Sequence, residues 1–302
     1  MLIQRSDEQL FAARNPKDIR RWLDTNRDIA RAYFGTTRFG NDTALVNELT
    51  HRVNDKELGV LYDQVHQTFG TLGDLTGQLS EAFTNIREIY PEFKPPKVAA
   101  MVTGFMGPDL VITDSLIVIA LDYFIGPKAK YRPVGEQFPN YILRRYQKEY
   151  IVPAIVFAIS DRFNATNRQD QTLLADMVYY GKGYVFTKAM LPDTPDSLII
   201  GYSDRQLTQT FNVQEDIWAY FIDAQLLYQT NPSVKNRYIT ERPFTAEIST
   251  KCPGAIARWV GWRIVGKYND EKDPGIKALM QTADARRIFE QSGYKGLKDE
   301  ET

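Results

Sequence analysis

Apolar residues between positions 6 and 90 recur every three to four residues, the spacing of amphipathic helices. Ile19, Trp22, Leu23, Ile29, Ala30 and Tyr33 share one face, and Asn15 followed by Pro16 predicts the start of their first helix. A second stripe holds Leu58, Leu61, Tyr62, Val65 and Phe69, with Asn54 as its expected N-cap. A third holds Leu75, Leu79, Phe83, Ile86 and Tyr90. Pro91, Pro95 and Pro96 end this helical stretch.

The texture then changes. Val98–Val102, Leu110–Thr113 and Ser115–Ile125 are rich in Val, Ile and Leu, and Gly104, Gly107 and Pro108 mark turns between them. In the last run both alternating sets are apolar, so the strand is expected to be covered on both faces. Asp122 interrupts it. Leu2 and Ile3 could add a short edge strand, giving a small sheet of about three to four strands. Helical spacing returns in Tyr141–Ala158, Asp170–Met190, Val213–Tyr228 and Gly254–Tyr268. Asn212 and Glu215 have the spacing of a capping box. The polar tail from Lys295 to Thr302 is expected to fray. The expected fold class is α+β and mostly helical, with a helical region over 1–96 and an α+β region over 97–302, packed as one unit.

Composition narrows the chemistry. The chain has 302 residues, 43% of them hydrophobic, which is enough to bury a large core. Its 37 basic and 38 acidic residues leave no global field for nucleic acid. Two His and one Cys exclude a metal site built from four such ligands and any disulfide within the chain. No run of about 20 apolar residues crosses a bilayer. His51 and His66 fit no standard metal spacing, and Cys252 has no activating neighbour in sequence, so no metal, cofactor or catalytic residue is expected.

Two segments stand out. Asp170–Met190 is apolar on more than one side and reads as a central helix. Gly181 and Gly183 inside it predict close approach of another backbone, with groove lining beside Tyr179, Tyr180 and Lys182 as the minority reading. In 253–265, Gly254, Ala257, Gly261 and Val265 share a narrow face that would admit a neighbouring helix. Trp259 and Trp262 then fill core, or with Arg263 they line a pocket. Tyr179, Tyr180, Lys182, Trp218, Trp259, Trp262 and Arg263 are the candidate groove residues.

The order of several pieces carries a resemblance. Leu-Asp-Tyr-Phe-Ile-Gly stands at 121–126, Met-Val-Tyr-Tyr-Gly-Lys-Gly-Tyr-Val-Phe at 177–186 and Ile-Gly-Tyr-Ser-Asp-Arg-Gln at 200–206. Ile-Trp-Ala-Tyr-Phe-Ile-Asp-Ala-Gln-Leu-Leu-Tyr-Gln-Thr follows at 217–230, Arg-Pro-Phe-Thr at 242–245, and Pro-Gly-Ala-Ile-Ala-Arg-Trp-Val-Gly-Trp-Arg-Ile-Val-Gly-Lys-Tyr at 253–268. Together they resemble the gliding-motility lipoprotein GldB family of Bacteroidetes, best over about residues 110–290. The resemblance implies an envelope protein facing the periplasm. It would be held by an N-terminal lipid anchor whose signal and Cys this sequence does not carry, and linked to gliding or the associated secretion machinery. That family is itself similar to zincin-like zinc-dependent peptidases, which carry His-Glu-x-x-His on a central helix after a small sheet. Here no His follows His66, so the resemblance implies a degenerate zincin-like core without a His-ligated metal.

The expected role is therefore non-catalytic: a binding or assembly component whose partners are other envelope, motility or secretion proteins, or a peptide. The alternative is a hydrolase, acting on peptide or glycan through Glu215, Asp216 and Asp223.

Overall fold

The computed structural model describes residues 2–297, so the tail expected to fray lies outside the described residues from 298 onward. The chain forms two compact units. Among the described residues the first unit runs through residue 84 and resumes over 92–152; the second holds 85–91 and 153–297.

The first unit opens with β1 (Ile3–Arg5), then α1 (Ser6–Ala12), α2 (Pro16–Thr25), α3 (Arg27–Phe34), α4 (Thr43–Val53), α5 (Lys56–Phe69) and α6 (Gly73–Ile89), whose residues from 85 onward belong to the second unit. The start of α2 follows its sequence signal. The Asn15 side chain accepts from the N–H groups of Lys17 and Asp18, and Pro16 supplies the first turn. The cap of α5 differs from expectation by one residue: Asp55 accepts from the Leu58 N–H, while Asn54 donates instead to the carbonyls of Thr50 and Arg14.

The sheet holds four strands in the order β1-β2-β4-β3, with β2 (Lys97–Met101), β3 (Leu110–Ile112) and β4 (Leu116–Ala120). β1 and β4 both run parallel to β2, and β3 returns antiparallel along β4. All five residues of β4 are buried, as its unbroken apolar run requires. The expected strand to Ile125 is cut short. A 3-10 turn over Leu121–Phe124 follows β4 and buries Asp122. Because β1 pairs with β2, the expected region boundary at residue 96 falls inside this unit, between partner strands. α1 packs on β2 and α3 on β4.

The helix expected over 141–158 is two helices, α7 (Asn140–Leu143) and α8 (Ile151–Ser160). Between them Gln147 is extended, with φ −137° and ψ 150°, and bridges to Ile125. A long-range backbone pairing overrides the local helical pattern.

The second unit contains α9 (Leu173–Met190), α10 (Asp196–Ile200), α11 (Asp204–Asn212), α12 (Gln214–Asp223), α13 (Pro232–Ile239), α14 (Ile256–Lys272), α15 (Ile276–Gln281) and α16 (Ala285–Ser292). α9 and α14 share the densest packing, and Leu173, Met177, Ile256, Val260 and Ile264 are wholly buried in the common core. The expected capping box at Asn212 is absent, because Asn212 ends α11 rather than opening α12. The box lies earlier: Ser203 accepts from the Gln206 N–H, and the Gln206 side chain returns a bond to the Ser203 N–H. Among the described residues no helix is long and apolar enough to cross a membrane.

Candidate functional site

The pairing of α9 with α14 depends on glycine. A Cβ at Gly261 would lie 1.9 Å from the Met177 carbonyl oxygen, and one at Gly181 would lie 2.3 Å from the Gly261 carbonyl oxygen. Each helix thus seats its backbone against the other. A Cβ at Gly183 would meet the Phe157 ring at 2.6 Å. Close packing, the main sequence expectation for these glycines, accounts for all three.

With the small residues turned onto α9, the large residues of α14 face elsewhere. Trp259 is 1% exposed and meets Phe211 edge-on at 5.4 Å. Trp262 is half-buried beside Tyr184, ring centres 5.2 Å apart. The Arg263 guanidinium lies 5.2 Å over the Phe211 ring. These three line one pocket of about 280 Å³, with walls from Val185 and Lys188 on α9, Asp196, Leu207 and Phe211, and with Gly266, Asn269 and Asp270 continuing along α14. Lys188 is already engaged, donating to the Thr194 carbonyl at 2.9 Å and pairing with Asp196 at 3.1 Å. The pocket is amphipathic: aromatic and aliphatic inner walls meet a rim of paired and unpaired charge.

The remaining candidates lie elsewhere. Tyr180 carries the Arg258 guanidinium 4.1 Å from its ring centre, and Arg258 also pairs with Glu241. Tyr179 donates to Asp161 at 2.7 Å, and burial together with that carboxylate raises its hydroxyl above the usual range. Trp218 packs on Phe289 and Tyr294, with Gly296 pressed against it. Lys182 is 2% exposed and lines no groove. Its Nζ donates to the carbonyls of Ala165, Met280 and Thr282 at 2.6, 3.4 and 2.9 Å, and burial pulls the amine down to about 8. It ties α9 to the loop at Ala165 and to the C-terminal end of α15.

Glu215, Asp216 and Asp223 are exposed on α12, and Asp216 borders an apolar hollow of about 430 Å³ beside Cys252. Burial pushes the Cys252 thiol up to about 12, which leaves little thiolate near neutrality. His66 sits 3.6 Å from the buried Asp7, next to Arg5, and His51 borders a wide depression with Arg52, Gly104 and Phe105. Among the described residues no three His, Cys, Asp or Glu side chains come together as a metal would need.

One organised centre escaped the sequence reading. Beyond the carboxyl end of β2 the chain passes through Gly104 (φ 69°), Phe105 (φ 62°) and Gly107 (φ 87°), folding around the buried Asp122. Asp122 accepts from the N–H groups of Phe105 at 2.8 Å and Thr103 at 3.3 Å. Tyr33 and Tyr123 donate to the carbonyls of Met106, Pro108, Phe105 and Gly107, and Arg52 to that of Thr103. Burial pushes the Asp122 carboxyl up to about 6, against the opposing pull of these backbone donors. Its signal in the sequence was the single charge inside an otherwise apolar strand run.

Fold and site define a mostly helical α+β protein with an aromatic pocket beside a glycine-packed helix pair. The chain belongs to a family of gliding-motility lipoproteins: the family model described as gliding motility protein GldB matches residues 1–296. No curated protein and no solved structure matches it.

Proposed function

We propose that the protein is a non-catalytic binding and assembly component of the cell envelope, serving gliding motility or the associated secretion machinery. Its partners on this reading are other envelope proteins of that machinery, it faces the periplasm, and a lipid anchor holds it to the membrane. The observation that carries the binding role is the convergence of Trp259, Trp262 and Arg263 on one amphipathic pocket, with buried aromatic and arginine anchors of the kind that dominate recognition. The non-catalytic part has separate support. The middle of α9, where a zincin-like peptidase would carry its ligands, is occupied by Gly181 against Gly261 and by Lys182 bonded to three carbonyls.

The test is an assay of the purified chain on peptides and peptidoglycan fragments, with and without chelator. No turnover is expected. Turnover that Glu215→Gln abolishes while the fold stays intact would overturn the non-catalytic role. In cells that depend on the protein, Trp262→Ala at unchanged expression should impair spreading or secretion; normal behaviour would remove the pocket from the function.

A further inference from the structure

Gly266 lies mid-way along α14, where glycine costs roughly 1 kcal/mol against alanine. Gly181, Gly183 and Gly261 are each demanded by a close neighbour, but a Cβ at Gly266 would meet nothing within 4 Å. Packing does not explain it, and it lines the pocket. Trp262, Gly266, Asn269 and Asp270 fall on one face at helical spacing, so the missing side chain leaves a trough between the indole and the two polar residues. Eight residues of helix make that trough about 12 Å long.

The charge left open at the Asn269–Asp270 end of the trough is negative. Lys188 is paired with Asp196, and the Arg263 guanidinium, still positive, lies over Phe211 seven residues before Asp270, about 10 Å along the helix. Asp270 is exposed and enters no ion pair with another described residue. An anion at this end would be repelled by the carboxylate, and a purely apolar group would make no use of Asp270 and Asn269. A long side chain with an apolar stem and a cationic head satisfies both ends.

We infer that the pocket seats a lysine or arginine side chain presented by a protein partner. The stem crosses Gly266 between the Trp262 face and Ile276, and the head bonds to the Asp270 carboxylate and the Asn269 amide oxygen. The inference rests on the reading of this pocket as the binding site, and it adds the chemistry of what enters.

The experiment titrates capped pentapeptides with a central lysine, norleucine or glutamate into the full chain, following tryptophan fluorescence and the amide shifts of residues 262–270. The lysine peptide should saturate these signals, and the norleucine peptide should bind at least about tenfold more weakly. Trp262→Ala and Asp270→Asn should each weaken the lysine peptide by about fivefold or more. Gly266→Leu should abolish the response without lowering the unfolding midpoint. Equal binding of the lysine and norleucine peptides would overturn the inference and leave the pocket as the binding site. So would a response at these residues to an N-acetylglucosamine trimer but to no peptide. Silence towards all four probes would overturn both.

Discussion

A methyl group added at Gly261 would press on the Met177 carbonyl at 1.9 Å, whereas at Gly266, five residues along the same helix, it would stand in open space. Gly261→Ala should therefore cost about 2–3 kcal/mol, because neither backbone can retreat without opening the α9–α14 interface. Gly266→Ala should instead raise stability by roughly 0.5–1 kcal/mol through helix propensity. Urea midpoints of the two variants, read by far-ultraviolet circular dichroism, should move in opposite directions. Lys182 gives a prediction of a different kind. Its amine is pulled to about 8 in the fold, while the unfolded chain keeps the ordinary value of 10.5. Between those values the unfolded chain binds the extra proton, so the native protein gains stability as pH rises from 8 towards 10. Lys182→Met should lose that slope. At pH 7 it should also cost about 2 kcal/mol, since the carbonyls of Ala165, Met280 and Thr282 lose their shared donor. Nothing local in the sequence marks Lys182 as buried: two of the carbonyls that bind it lie about a hundred residues downstream.

At the scale of elements, the local signals that survived are those with a complete physical cause nearby. Asn15 with Pro16 starts α2 because both the cap and the proline serve the same four orphan N–H groups. Asn212 and Glu215 have comparable spacing, yet Asn212 is already the last residue of α11 and cannot open the next helix. Trp259, Trp262 and Arg263 reached one pocket because a single helix carries all three, whereas grouping them with Tyr179, Lys182 and Trp218 required tertiary geometry that spacing does not hold. The loop after β2 shows the same limit. Its glycines read as turns, but only the fold reveals that they turn around a carboxyl group. Asp122 sits at about 6 in the fold and has an ordinary value of 3.8, so the folded state holds the extra proton between them. Wild-type stability should thus fall as pH rises from 4 to 6 on account of this group. Asp122→Asn should remove that slope and be at least as stable at pH 7, since an amide oxygen still accepts from Phe105 and Thr103. Asp122→Ala strands those donors and should cost about 2–3 kcal/mol. Thermal melts of the three proteins at pH 4, 5, 6 and 7 separate the outcomes.

At the scale of the molecule, the change from helical to strand-rich sequence near residue 96 is real, but it is not where the chain divides. β2 needs β1 as a parallel partner, and that strand is made by the first residues of the chain: Ile3 pairs with Val98 and Arg5 with Ala100. α1 and α3 then cover the sheet that a fragment starting at residue 97 would have to bury alone. Such a fragment should lack the native sheet, with amides of β2 and β4 exchanging freely. A fragment over 153–297 keeps the α9–α14 core and should stay helical and cooperative. It would still be less stable than the same segment in the whole chain, because the second unit also contains residues 85–91. There the Asn85 amide donates to the Met190 carbonyl at 3.0 Å, and the Tyr90 ring stacks on Phe163 at 3.9 Å. Tyr90→Ala in the full chain reproduces that loss without cutting the backbone. Removing this buried ring should cost about 3 kcal/mol or more. Hydrogen exchange should accelerate in α8 and α9, while the amides of β1 and β2 keep their protection. Equal acceleration in both units would show that they unfold as one, and the fragment over 153–297 would then be expected to lose its cooperative transition as well.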